Sequence, residues 1–289
     1  MGTAPMIVSS PRPPRPDAPA RSGSPLNPGI RAKVHELTST LRQVARRAVP
    51  ASWRAWLHGQ RTGGELTPPP GWIRFGSLRR SAPISRRWGK DRGTPIDRYY
   101  IERFLATHAE DIRGRVLEIG GAMYTRKFGG SAVVRSDVLH VKADNPAATI
   151  VADLSQGEEL ASDIFDCIIL TQTLQCIYDV RAAVKTVFRI LRPGGVLLAT
   201  VGGVSQFSRW DSERWGHYWN FTTDSVDRLL AENFPPGNRE VQSFGTVLTA
   251  TAFLYGLSSQ DLRAAELDRH DPDYQVVIAA RAVKPSPSR

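Results

Sequence analysis

From residue 96 onward the chain alternates between short apolar, β-branched runs and stretches whose apolar residues recur three and four apart. IDRYYIERFLATHAEDI (96–112) predicts a helix, and RVLEIG (115–120) a strand closed by glycine. Further strands are predicted at AVVRSD (132–137), ATIVAD (148–153), FDCIILT (165–171) and GVLLATV (195–201), with a last one in YQVVIAARAVK (274–284). In VRAAVKTVFRILRPGG, Val180, Ala183, Val184, Val187, Ile190 and Leu191 share one helical face. Pro193-Gly194-Gly195 then predicts a turn before the next strand. Buried strands alternating with helices imply an α/β architecture around a parallel sheet.

Ahead of residue 96 this pattern is lost. Residues 1–29 hold eight prolines, and proline removes a backbone donor and fixes φ, so a disordered tail is expected. Ile30, Val34, Leu37, Leu41, Val44 and Val49 fall near helical spacing in a basic stretch that Pro50 stops. Residues 51–95 mix tryptophans, a run of three prolines and the Arg-rich SLRRSAPISRRWGKDRG (77–93), with no clean period. The expected organisation is a tail at 1–29, a basic helix and lead-in segment at 30–95, a domain at 96–284 and a short tail at 285–289.

The charge follows the same division. The whole chain carries +10, but residues 1–100 hold 18 Lys and Arg against 5 Asp and Glu, a balance of +13, and the remainder stands at −3. The basic character therefore belongs to the N-terminal third. Two cysteines, Cys167 and Cys176, cannot build a disulfide framework and lack metal-ligand spacing, so buried reduced thiols are expected. No metal site is expected. No apolar run reaches the ~18 residues that span a bilayer, and the N-terminus lacks the charged start and apolar centre of a secretory signal. The expectation is a cytoplasmic protein without a transmembrane segment.

In an open parallel sheet, ligands sit beyond the carboxyl ends of the central strands. The first strand brings Glu118 and then Gly120-Gly121-Ala122 to that crevice, where glycine lets the backbone approach a ligand closely. Asp137 follows Glu118 by 19 residues and is expected to end the second strand, where a carboxylate can accept both hydroxyls of a ribose. Asp153 is expected to end the third, facing a nucleobase. The turn reads GGAMYT rather than GxGxxG, so an adenosine ligand without pyrophosphate suits it better than a dinucleotide.

The chain resembles a class I S-adenosylmethionine-dependent methyltransferase, close to the methyltransferase type 11-like group. The resemblance is carried by VLEIGG (116–121), Asp137, VADLS (151–155), FDCIILTQTLQCIYDV (165–180), RILRPGGVLLATV (189–201) and HYWNFTTDSVDRLL (217–230). It covers roughly residues 90–284. It implies a Rossmann-like, mostly parallel seven-stranded sheet with helices on both faces, preceded here by the basic Pro/Arg-rich extension. S-adenosyl-L-methionine is the implied cofactor. Glu118, Gly120, Gly121 and Ala122 would then contact its methionine end, Asp137 its ribose, and Asp153 and Leu154 its adenine. Thr171, Gln172 and Thr173 would lie under the sulfonium and amino group. Arg98, Tyr99 and Tyr100 belong to the helix that closes over the cofactor, with core packing the other reading for the tyrosines.

Methyl transfer from a sulfonium needs alignment more than covalent help, and a general base only for a weak nucleophile such as a hydroxyl. His217 in RWGHYWNFT is the best-placed titratable group after the fifth strand. The alternative is a half-exposed histidine in an aromatic loop. RWDSERWGHYWNF (209–221) carries five aromatics, which suits stacking on sugar faces or flat rings. Gln172-Thr173-Leu174-Gln175 stands where amino-methylating enzymes of DNA or glutamine carry an Asn/Asp-Pro-Pro-aromatic tetrapeptide. DRGTPIDRYYIERF (91–104) resembles glycan-associated methyltransferases and points toward a saccharide hydroxyl. The leading expectation is O-methylation of a small molecule or glycan. A nucleic-acid methyltransferase using the basic segment, and a silent methyltransferase-like binding domain, are the alternatives. Weak contact of the 30–49 helix with an anionic membrane surface stays open, as does the oligomeric state.

Overall fold

The structure is a computed structural model of the chain and describes residues 50, 53, 57, 68–69 and 72–286. The expected Pro-rich tail (1–29) and basic helix (30–49) lie outside the described residues, as do the last three residues of the expected C-terminal tail. The chain divides into two compact units, Met1–Gly76 and Ser77–Arg289. In the first, the rings of Trp53 and Trp72 meet edge to face with centroids 5.9 Å apart. Residues 77–95, set apart from the domain in the sequence reading, fall in the second unit.

The second unit is built on seven strands: β1 Gly114–Ile119, β2 Val133–His140, β3 Ile150–Val151, β4 Phe165–Thr171, β5 Leu191–Gly202, β6 Arg239–Phe244 and β7 Val277–Val283. Their order is β3-β2-β1-β4-β5-β7-β6, with β7 alone running antiparallel to its neighbours. This is the seven-stranded, mostly parallel Rossmann-like sheet that the resemblance implies. The helices are α1 Ile96–Thr107, α2 Met123–Phe128, α3 Val180–Ile190, α4 Arg209–Ser212, α5 Thr223–Ala231, α6 Val247–Leu254 and α7 Ala264–Leu267.

Alternation along the strands explains why both faces are covered. Leu117, Ile168, Leu170, Leu197 and Ile278 enter one core, against Val184 and Val187 of α3 and Leu229 and Leu230 of α5. Their neighbours Val116, Cys167, Ile169, Leu198 and Val277 enter the other, against Ile101, Phe104 and Leu105 of α1 and Phe253 of α6. A two-residue period with both faces apolar is the signature of a sheet buried on each side. Asp179 caps α3 by accepting the Ala182 N–H, and reciprocal Thr222/Ser225 and Thr246/Thr249 boxes open α5 and α6.

Several element boundaries differ from the sequence reading: α1 stops at Thr107, and β2 runs on to His140, past the expected end at Asp137. β3 is only Ile150–Val151, so Asp153 lies past its end. β5 begins at Leu191, not after the Pro193-Gly194-Gly195 turn; the turn is absorbed as an irregularity where the β4 register jumps between Phe165 and Cys167.

Candidate functional site

At the carboxyl ends of β1, β4 and β5 the second unit opens into a cleft of about 870 Å³, a volume typical of small-molecule sites. The sheet order passes from β1 straight to β4 here, the crevice where parallel sheets hold ligands. Glu118, Gly120, Gly121, Thr171 and Gln172 line it, joined by Arg98 from α1 and by His217 beyond β5.

Glu118 is 4% exposed. One carboxylate oxygen accepts the Tyr124 N–H at 3.1 Å; the other accepts the Thr125 N–H and hydroxyl, each at 2.8 Å. These amides belong to the first turn of α2 and have no partner within the helix, so the β1 acid fixes the glycine turn between them. Gly120 has φ +78°, and a Cβ on it or on Gly121 would meet nothing within 4 Å. The turn therefore presents bare backbone to open space, a cradle that a side chain would fill.

Across the cleft, Gln172 sits at φ +48°, rare for a residue with a side chain. Its N–H donates to the Thr200 carbonyl at 2.7 Å, and its Oε1 accepts from Gln175 Nε2 at 2.8 Å. Gln172 Nε2 and Gln175 Oε1 are buried without partners, each at a cost of about 1–3 kcal/mol. Turning both amides over exchanges their roles but still leaves one orphan donor beside one orphan acceptor. Both side chains line the cleft, and the chemical complements of such a pair are an acceptor such as a carboxylate and a donor such as an ammonium. The cradle and this pair fit the methionine end of S-adenosylmethionine.

Arg98 Nη1 donates to the Tyr124 hydroxyl, and the guanidinium lies 5.5 Å from that ring's centroid. Burial raises the Tyr124 phenol above its ordinary value. Asp97, also on the cleft wall, accepts the Arg98 N–H at 2.8 Å. Burial pushes its carboxyl above the usual range despite that bond and despite Arg98 and Lys90. His217 stacks on Phe207 at 5.2 Å, and its Nδ1 accepts the Ser208 N–H at 3.2 Å. That bond occupies the Nδ1 lone pair, so the neutral ring carries its proton on Nε2. His217 lines the cleft with Nδ1 already bonded, which leaves Nε2 as the ring nitrogen with no bond to the chain.

Several expected contacts are not brought to the cleft. Asp137 is not at a strand end: it pairs in register with Leu117 inside β2, three residues before the strand stops at His140. It is 1% exposed, held by Arg115 at 2.7 Å, Arg135 at 3.1 Å and the Thr149 hydroxyl at 3.2 Å. Burial opposes its charge, but the two arginines outweigh burial and hold the carboxyl below its ordinary value. Asp153 turns its Oδ1 to the Ser155 N–H and hydroxyl at 2.8 and 2.7 Å, and Leu154 is packed in the core. Ala122 precedes α2 as its N-cap and Thr173 bonds the Thr171 carbonyl; neither lines the cleft. Tyr100 is core, its hydroxyl on the Leu267 carbonyl and its ring stacked on Phe244, while Tyr99 bonds Asp268. The sequence reading missed Asp97, Gln175 and the Arg86–Lys90 segment, all lining the cleft. The Arg-rich run was visible, but its lack of period concealed that it folds against the domain.

Comparison with known proteins agrees with this architecture. Over part of its length the chain is similar to methyltransferases. The matching family model is described as a methyltransferase domain and covers residues 128–199. Similar solved structures include a SAM-dependent methyltransferase from Archaeoglobus fulgidus, 10% identical, covering 64% of this chain and 94% of that one with a TM-score of 0.44. Another is the N-methyltransferase NodS from Bradyrhizobium japonicum WM9 in complex with S-adenosylhomocysteine, 18% identical, covering 68% and 91% with a TM-score of 0.42. No curated protein sequence matches the chain. S-adenosylmethionine is the cofactor of the class. Among the described residues no helix is long and apolar enough to cross a membrane, and no group of His, Cys, Asp and Glu forms a metal site.

Proposed function

We propose that the protein methylates a hydroxyl of a small molecule or glycan, working in the cytoplasm, where its two free cysteines stay reduced. The open cradle at Gly120-Gly121, in one cleft with the orphan Gln172/Gln175 pair, supports the cofactor part of this reading most strongly. S-adenosylmethionine brings an electrophilic methyl on sulfonium and a neutral thioether leaving group. Gly120, Gly121, Gln172, Gln175 and Arg98 would hold its methionine end, while the aromatic segment carrying Phe207 and His217 receives the acceptor. Alignment of the attacking oxygen with the methyl group is the main contribution asked of these residues.

A hydroxyl also needs its proton removed. His217 Nε2–H would orient the acceptor by donating, and the Asp97 carboxylate, made more basic by burial, would take the proton. Asp137, Asp153 and Leu154 keep structural roles in this scheme. The test is incubation with methyl-labelled S-adenosylmethionine and fractionated cell extract. Label in a base-stable ether of a saccharide or small molecule is expected. Label in nucleic acid, in a base-labile ester, or in no acceptor while cofactor still binds would overturn it.

A further inference from the structure

We propose that the acceptor carries an oxyanion, a phosphate or carboxylate remote from the methylated hydroxyl, which docks on a cationic rim of Arg86, Arg87 and Lys90. The inference rests on the methyltransferase reading and adds a substrate class to it.

The rim belongs to a segment fixed in place. The Ile84 N–H donates to the Tyr255 carbonyl at 2.8 Å. Ser85, 3% exposed, accepts the Arg87 and Gly89 amides at 3.0 and 3.4 Å and donates to Asp91. Gly89 has φ +79°, and a Cβ there would stand 2.5 Å from the Leu257 carbonyl oxygen. Only glycine allows so close a backbone approach. Arg92 bonds Asp261 twice, at 2.6 and 3.1 Å. Arg92 and Asp261 neutralise each other on the domain surface.

Arg86, Arg87 and Lys90 do the opposite. All three line the cleft, and none has an ion-pair partner among the described residues. With Arg98 and Arg209 the cleft wall holds five cations against the carboxylates of Asp97, Glu118 and Asp211. Glu118 is already committed to α2 amides. Like charges gathered in a concave site focus a positive potential that an anion relieves, and the arginine fork suits the two oxygens of a phosphate or carboxylate.

A stacking surface stands in the same cleft. Trp88, Phe207 and Trp210 line it, and Phe207 and Trp210 are exposed. Trp88 is held at φ +55° between Arg87 and Gly89, a conformation bulky residues rarely adopt and one that clusters at ligand sites. Aromatic faces beside cationic forks fit a ring bearing an acidic substituent, such as a sugar phosphate or uronic acid. The cleft volume of about 870 Å³ is that of a small-molecule site.

The experiment is a tryptophan-fluorescence titration with S-adenosylhomocysteine present, using glucose 6-phosphate, glucuronate and glucose as probes. Both anionic sugars are expected to bind at least tenfold more tightly than glucose, and the tighter of the two identifies the oxyanion. Arg86→Gln/Arg87→Gln, and separately Lys90→Gln, should weaken the anionic probes without altering S-adenosylhomocysteine affinity or the glucose titration. The double variant should cost tenfold or more. Equal affinity for all three sugars, or unchanged affinity in both variants, would overturn the proposal. So would salt-dependent tRNA binding that the double variant abolishes while the sugars stay undiscriminated. Failure of S-adenosylhomocysteine itself to bind would strike the methyltransferase reading; normal binding without anion preference would strike the rim alone.

Discussion

The two halves of the sheet's carboxyl edge treat their acids and amides differently. Under β2 and β3 every expected acid is satisfied by the chain itself: Asp137 by Arg115, Arg135 and Thr149, and Asp153 by Ser155. Under β1 and β4 the edge is left unfinished, with bare glycine backbone, an orphan donor and acceptor, and a strained Gln172. Buried polar groups are ordinarily paired. The half that leaves them unpaired is the half poised for a ligand, whereas the satisfied half holds the sheet together.

The sharpest way to break this comparison is Asp137→Asn. Removing one partner from a buried ion cluster is strongly destabilising, and with both arginines partly exposed a loss of about 2 kcal/mol or more is expected in denaturant unfolding. Cofactor affinity should nonetheless stay within about threefold, since Asp137 lies outside the cleft. The same carboxyl, held below its ordinary pKa, contributes stability that is present above about pH 4 and is lost as pH falls through its folded value. An acid titration of wild type and variant should converge at low pH.

Asp97→Asn sharpens the comparison from the other side. A carboxyl raised by burial loses stability as pH climbs from its unfolded value, about 3.9, toward its folded one, because the folded chain binds the proton longer. The amide should therefore raise the melting temperature at pH 7 while lowering kcat by about 10²-fold. Stabilisation without loss of turnover would exclude Asp97 as the base. Gln175→Leu exchanges one orphan acceptor for another, because Gln172 Oε1 loses its donor; stability should change little, yet S-adenosylhomocysteine should bind about tenfold more weakly by calorimetry.

The smallest effect concerns the thiols. Burial pushes Cys176 up to about 11 and Cys167 higher still. Cys176 is half-buried, where full burial was expected. Iodoacetamide at pH 7.5 should label the native protein about 100-fold more slowly than a free thiol, with both cysteines reacting after unfolding.

The sheet was legible because its signal is local and repeated. FDCIILT became β4 residue for residue, and the Val180–Ile190 face packs as its periodicity required. The acid at β1 was legible for the same reason: it directly precedes its glycine turn. Asp137 was misread because the second strand runs on through Val138, Leu139 and His140, and pairing with β1 sets its level. No local pattern reveals that register. Trp88, Arg86 and Arg87 were hidden by a different limit, since what holds them at the cleft is long-range: Arg92 to Asp261, Gly89 against Leu257.

We propose that the unfinished half binds the cofactor and the satisfied half does not. Calorimetric titration of S-adenosylhomocysteine into wild type, Gly121→Val and Asp137→Asn tests it in one experiment. Gly121 has an ordinary φ and open space beyond it, so valine should leave the fold intact while filling the cradle. Micromolar binding to wild type and Asp137→Asn, with none to a folded Gly121→Val, is the expected result. Retained binding in Gly121→Val together with loss in a folded Asp137→Asn would contradict it.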